Sequence, residues 1–253
     1  MDVGLCVGWS YRRVLDRRLS GNDERHLRTR PRVDTDRTFG TVDAGANHTL
    51  ALDAQGRIWS WGENRRGELG DGTEHAQRME PMSITDATFA AISAGHGYHN
   101  LALDRDGLAW SWGDGARGAL GRPTEDTCTP SKKSSATSEC GRTPRPIAGH
   151  RFTQISAGGS HSLALKDDGS LWAWGDNSFG QLGNGGGGDG NPNEGDDAVP
   201  TPTRVADGPF VAIMAGNEHS LAIDAKGEVW AWGNNDEGQL GLGTDANVIL
   251  RPT

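Results

Sequence analysis

Four copies of one phrase constrain this chain more than any other feature. Each is a short apolar strand ending in Trp-x-Trp-Gly, followed by a Gly-x-Leu-Gly turn. The copies read IWSWGENRRGELG from Ile58 to Gly70, AWSWGDGARGALG from Ala109 to Gly121, LWAWGDNSFGQLG from Leu171 to Gly183 and VWAWGNNDEGQLG from Val229 to Gly241. Eight of the nine tryptophans lie here, as the pairs Trp59/Trp61, Trp110/Trp112, Trp172/Trp174 and Trp230/Trp232, each pair followed by Gly62, Gly113, Gly175 or Gly233. Two tryptophans two positions apart place both indoles on the same face of a strand. The phrase is therefore a packing unit used four times.

The sequence upstream of each phrase is equally regular. A Phe-x-x-(Ile/Val) segment leads to Ala-Gly and then to a histidine, at His48, His99, His161 and His219. LALD, LALD, LALK or LAID follows, with large side chains alternating with alanine as in a half-buried strand. The turns DAQG, DRDG, KDDG and DAKG then end in Gly56, Gly107, Gly169 and Gly227, which suits hairpin loops with a left-handed last residue. Successive histidines lie 51, 62 and 58 residues apart, and Trp61, Trp112, Trp174 and Trp232 repeat the same intervals. All length variation thus falls in the connector between the Gly-x-Leu-Gly turn and the next Phe. Its longest forms, residues 122–151 and 184–209, are rich in Gly, Pro, Ser, Thr and Asp.

Each unit reads as a β-hairpin with one further strand before it, and no helical period appears. An all-β chain with one such unit every 50 to 60 residues predicts radial repetition into a β-propeller, with repeats at about 38–87, 88–150, 151–208 and 209–253. A linear β-solenoid is the alternative, although its coils are usually much shorter. Residues 1–37 are unassigned, either a basic segment or a degenerate repeat. They hold nine Arg and no Lys against six Asp or Glu, a local balance of +3, so the remainder carries −12 of the overall −9.

The repeat Phe-x-x-Ile-x-Ala-Gly-x-x-His-Ser-Leu-Ala-Leu, Asp-x-x-Gly, Leu-Trp-x-Trp-Gly-x-Asn-x-x-Gly-Gln-Leu-Gly resembles the regulator of chromosome condensation repeat family, over residues 38–253. The resemblance implies a β-propeller, usually of seven four-stranded blades, so four clear copies imply a partial ring with open blade edges and a route to self-association. The family includes an exchange factor for a small GTPase, a plant ultraviolet-B receptor, ubiquitin-ligase accessory domains and a secreted inhibitor of β-lactamases. They share a scaffold that presents loops, not a reaction. The receptor's Gly-Trp-Arg-His-Thr motifs are replaced here by GANHT, GHGYHN, GGSHS and GNEHS, so no ultraviolet sensing is implied. No residue matches the exchange factor's catalytic surface.

Composition narrows the functional classes. A net charge of −9 argues against an extended phosphate-binding surface and so against nucleic-acid binding. No run of about 18 apolar residues predicts a membrane span. The four histidines recur once per repeat, which suits a contact between blades better than a catalytic constellation, and the indole pairs get the same reading over sugar or base stacking. DGNPNEGDD, from Asp189, starts like a calcium loop, but Glu194 stands where Gly is required and Pro200 where Glu is required. No Gly-x-Ser-x-Gly, His-Glu-x-x-His or phosphate-loop motif occurs, and neither a metal nor another cofactor is expected. Of Cys6, Cys128 and Cys140, the last two bracket a polar insertion and are candidates for a disulfide in an oxidising compartment, with free thiols as the other reading. The first residues show no signal-peptide pattern, so export requires a true N-terminus lying elsewhere. The expectation is a non-enzymatic scaffold that presents 122–151 and 184–209 to a protein partner. Regulation of nucleotide exchange on a small GTPase is the alternative, and a propeller-type enzyme ranks behind both.

Overall fold

The computed structural model describes residues 38–124, 126–129, 137–188 and 197–253, all within one compact unit, Thr35–Thr253. The unassigned segment 1–37, Cys6 and nearly all of the calcium-loop candidate lie outside the described residues.

The described strands form four antiparallel sheets, each a blade. The first is β1 (Phe39–Ala44), β2 (His48–Asp53), β3 (Ile58–Gly62) and β4 (Arg78–Ser83), paired in that order. The second holds β5 (Phe89–Ala94), β6 (His99–Asp104), β7 (Leu108–Asp114), a short strand β8 (Asp126–Cys128) and β9 (Ser138–Arg151), in the order β5-β6-β7-β9-β8. The third is β10 (Gln154–Ala157), β11 (His161–Leu165), β12 (Leu171–Gly175) and β13 (Val199–Ala206). The fourth is β14 (Phe210–Ala215), β15 (His219–Asp224), β16 (Val229–Asn234) and β17 (Val248–Ile249). One turn of 3-10 helix, Ala116–Gly118, interrupts the β structure.

The hairpin expected in each repeat is present, and its register explains the motif. Trp174 pairs with Ser162 and Trp172 with Ala164, so both indoles, the serine and the alanine share one face of the third blade. The leucines of LALK then take the other face. Gly56, Gly107, Gly169 and Gly227 close the hairpin turns at φ of 83°, 79°, 74° and 85°. The glycine after each tryptophan pair is more constrained. Gly175 pairs with His161 at φ 101°, and a Cβ there would lie 2.5 Å from the carbonyl oxygen of Ser160. Only glycine fits that approach.

The three-strand unit needs correcting. A fourth strand forms in every connector, so residues 122–151 and 184–209 are not free loops: the first contains β8 and β9, the second contains β13. In the second blade a disulfide between Cys128 and Cys140, with Cα atoms 5.9 Å apart, ties the extra strand β8 to β9. The sulfur-bearing residues are fully buried.

The core lies between blades. Trp112 packs on Leu50, Leu52 and Ile58 of the first blade, Trp174 on Leu101, Leu103 and Ala109, and Trp232 on Leu163, Leu165 and Leu171. The fourth blade's matching surface is open: Ile223 is 39% and Val229 65% exposed, where Leu165 and Leu171 are 1% and 0%. Among the described residues the fold is thus four propeller blades with an exposed apolar face on the fourth.

Candidate interaction surface

Histidine and tryptophan together form one lock at each boundary between blades. Nε2 of His99 lies 2.9 Å from Oγ of Ser162, whose hydroxyl donates to the carbonyl of Ala119 in the preceding Gly-x-Leu-Gly turn. The indole of Trp174 donates to that same carbonyl at 3.0 Å. His161, Ser220, Trp232 and the Gln181 carbonyl repeat the arrangement, as do His48, Asn100, Trp112 and the Glu68 carbonyl. Because Ser162 and Ser220 spend their protons on a carbonyl, the histidines donate through Nε2, leaving Nδ1 bare. Nδ1 of His48, His99 and His161 is indeed buried with no hydrogen-bond partner, as suits a neutral ring.

The remaining members of the repeat set flank this lock. The first tryptophan of each pair donates to the acid that opens the hairpin turn: Trp59 to Asp53, Trp110 to Asp104 and Trp230 to Asp224. Lys166 replaces that acid in the third blade, and Trp172 turns to Ser170 Oγ instead. His219 and the Gln239 turn belong to the open face of the fourth blade, where no following blade stands among the described residues. Trp61, whose counterparts Trp112, Trp174 and Trp232 pack on the preceding blade, is half-buried. Gly62, Gly113 and Gly233 pair with His48, His99 and His219 as Gly175 does with His161.

Burial dominates the electrostatics. It lowers the pKa of His99 to about 4 and of His161 to about 3, with neighbouring histidines adding to the shift. Glu68 moves the other way, to about 7, because burial disfavours its charge more than the Arg66 backbone N–H supports it. Gln181 and Gln239 stand at the equivalent place in their repeats. Glu68→Gln is therefore expected to raise stability at pH 8 by about 1–3 kcal/mol and to change little near pH 5, where Glu68 is already neutral. Urea unfolding at the two pH values measures the difference.

The surface available to a partner follows from strand direction. The connectors between third and fourth strands leave every blade at the end that also carries the Ala-Gly-x-x-His turns. At the first boundary this platform is pinned. Glu74, from the first connector, accepts the Thr129 backbone N–H at 2.7 Å and an Arg142 Nη2 bond at 3.1 Å, while His75 Nε2 meets Thr129 Oγ1 at 2.9 Å. Arg66 pairs with Asp114 across the first boundary and Arg117 with Asp176 across the second, at 3.3 Å. Phe179 and Asn234 occupy these positions at the third. Among the described residues no group of three His, Cys, Asp or Glu is placed to hold a metal ion. No helix there is long and apolar enough to cross a membrane.

The RCC1-like domain model matches residues 5–253, nearly the whole chain. The chain belongs to the RCC1-like domain family. Among its relatives, the human E3 ubiquitin-protein ligase HERC2 is 31% identical over 219 residues, covering 84% of this chain and 4% of that protein. The ultraviolet-B receptor UVR8 of Arabidopsis thaliana is 32% identical over 207 residues, covering 80% of this chain and 42% of the receptor. Prp20p of Saccharomyces cerevisiae, solved in work on its binding to Gsp1p and histones, superposes with a TM-score of 0.71 at 26% identity, over 87% of this chain and 50% of that one. This RCC1-like chain thus spans half or less of each of these three.

Proposed function

We propose that this RCC1-like chain is a non-enzymatic scaffold whose connector face holds a protein partner. The observation that carries the reading is the division of labour along each repeat. At the described boundaries histidine and the second tryptophan of a pair are consumed in blade-to-blade locks, the first tryptophan and the glycine within a blade, and length variation is concentrated in connectors at one end of the blades. A rigid support with variable connecting segments is how binding surfaces are commonly built. The disulfide Cys128–Cys140 within the second connector supports the further reading that the chain works in an oxidising compartment. The bare face of the fourth blade, with Ile223 and Val229 exposed, supports self-association as a second contact.

The test replaces residues 129–137 and 188–198 of the two long connectors with short Gly/Ser linkers. Proteins retained by the immobilised chain are identified and compared with those retained by the variant. Loss of the retained partner with an unchanged far-ultraviolet spectrum is the expected result, and unchanged retention would sink the proposal. Similarity to Prp20p favours one second reading, regulation of nucleotide exchange on a small GTPase. Faster release of a labelled guanine nucleotide from such a GTPase in the presence of the chain separates the two.

A further inference from the structure

An open cleft of about 560 Å³ separates β9 of the second blade from β13, the outer strand of the third, and its charged lining residues are two arginines. Arg122, Arg145 and His150 face it together with Pro123, Pro146 and Pro202. The equivalent cleft between the third and fourth blades has the opposite bias, with Asp207 and Asp224 beside Arg251. In the first cleft no described lining residue is acidic.

The two arginines are placed differently. Arg122 is anchored: its Nε donates to Ser111 Oγ at 3.1 Å, and its Nη2 and Nη1 to the carbonyls of Ser111 and Pro123 at 3.1 and 3.2 Å. Three of its five N–H groups are thereby used and two remain. Arg145 pairs in register with Ser111 across β7 and β9, which brings it beside Arg122, and its guanidinium is exposed with no bonding partner among the described residues. Burial and then the charge of Arg145 both lower the Arg122 pKa, against a weaker opposing effect of Asp126. Asp126 is itself bonded to the Arg142 backbone N–H at 3.3 Å. His150 closes the cleft, its ring 4.7 Å from Trp172.

We propose that this cleft binds an acidic peptide segment, with one carboxylate between Arg122 and Arg145 and the adjoining apolar side chain on the three prolines. Guanidinium groups match carboxylate geometry in paired hydrogen bonds. Phosphate is matched by the same guanidinium groups but commonly draws on several backbone N–H groups as well. Proline has none, and three prolines line this cleft, so the donor set suits a carboxylate. The site sits where the second connector begins, which deepens the scaffold reading by naming the chemistry of the partner.

Fluorescence anisotropy of the full chain at 0.15 M salt tests it, with a labelled hexapeptide of alternating aspartate and leucine as probe. The expected result is submillimolar binding, at least about tenfold weaker when asparagine replaces aspartate, and weakened again by about tenfold in Arg145→Glu. Arg145 is exposed, so its melting curve should match the parent's. Three results would each overturn the proposal: no binding by the parent chain, equal binding of the aspartate and asparagine peptides, or an Arg145→Glu variant that binds as the parent does. Tighter binding of a phosphoserine peptide than of the aspartate peptide would overturn the carboxylate assignment. If Arg145→Glu leaves retention of the natural partner intact while connector replacement abolishes it, the cleft fails and the scaffold reading stands.

Discussion

Trp174→Ala is expected to lower the unfolding free energy by about 3–5 kcal/mol, a large part of the 5–15 kcal/mol typical of a folded domain. Trp174 is fully buried, and its side chain is the piece of the third blade that fills the second. Removing it opens a cavity between two sheets rather than within one, so the blades can close it only by shifting against the Ser162 and His99 bonds. The conservative change Trp174→Phe keeps much of the area and loses the indole bond to the Ala119 carbonyl. It should cost about 1–2 kcal/mol. Trp61→Ala, at the half-buried first position, should cost less than Trp174→Ala. Urea midpoints of the three variants, followed by circular dichroism, give the order. Equal losses for Trp61→Ala and Trp174→Ala would contradict the boundary lock.

Acid is expected to destabilise the protein through its buried histidines, with onset near pH 6.5. The sign follows from the direction of the shifts. His99 and His161 have folded pKa values of about 4 and about 3, below the ordinary 6.5. Between those values the unfolded chain takes up protons that the folded one refuses, so stability falls as pH drops. Each group loses about 1.4 kcal/mol per pH unit in that window, or about 5 kcal/mol for the pair by pH 4.5. Glu68 opposes them, since its raised pKa of about 7 makes the folded state the better proton acceptor between pH 7 and 4.5, worth up to about 3 kcal/mol. The parent chain should therefore lose about 2 kcal/mol net from these three groups, and Glu68→Gln should lose about 5. Thermal melts from pH 8 to pH 4.5 on both proteins check this. A variant with no steeper acid dependence than the parent would contradict it.

Much of the fold was legible because one physical requirement recurs. A blade cannot bury its apolar faces alone, so the tryptophans, the paired glycines and the LALD alternation had to appear in every copy. The fourth strands were not legible. β9 carries Pro144 and Pro146, and β13 carries Pro200 and Pro202, which read as loop signals in a linear sequence. β13, and the stretch of β9 that carries its prolines beyond the three residues paired to β8, have a partner along one edge only, and proline is tolerated there because its missing N–H costs no ladder bond. The family resemblance supplied four strands per blade where periodicity supplied three. Nothing marked Arg122 or Arg145 as a pair, because they are 23 positions apart and meet only through the β7–β9 register.

The sequence by itself determined the unit: an antiparallel hairpin, its glycine turns and the side chains on each face. These follow from periods of two residues and from backbone sterics, both local. Tertiary structure alone decided what each side chain is for. The histidine that could have been a ligand or a base became a neutral donor, because the next blade delivers a hydroxyl or amide oxygen to its Nε2 and removes water from its Nδ1. The connectors that read as loops became edge strands, because a paired third strand stood beside them. The cation-lined cleft arose because two blades with unlike connectors stand side by side. Each of these depends on groups distant in sequence and adjacent in space, which no local pattern encodes.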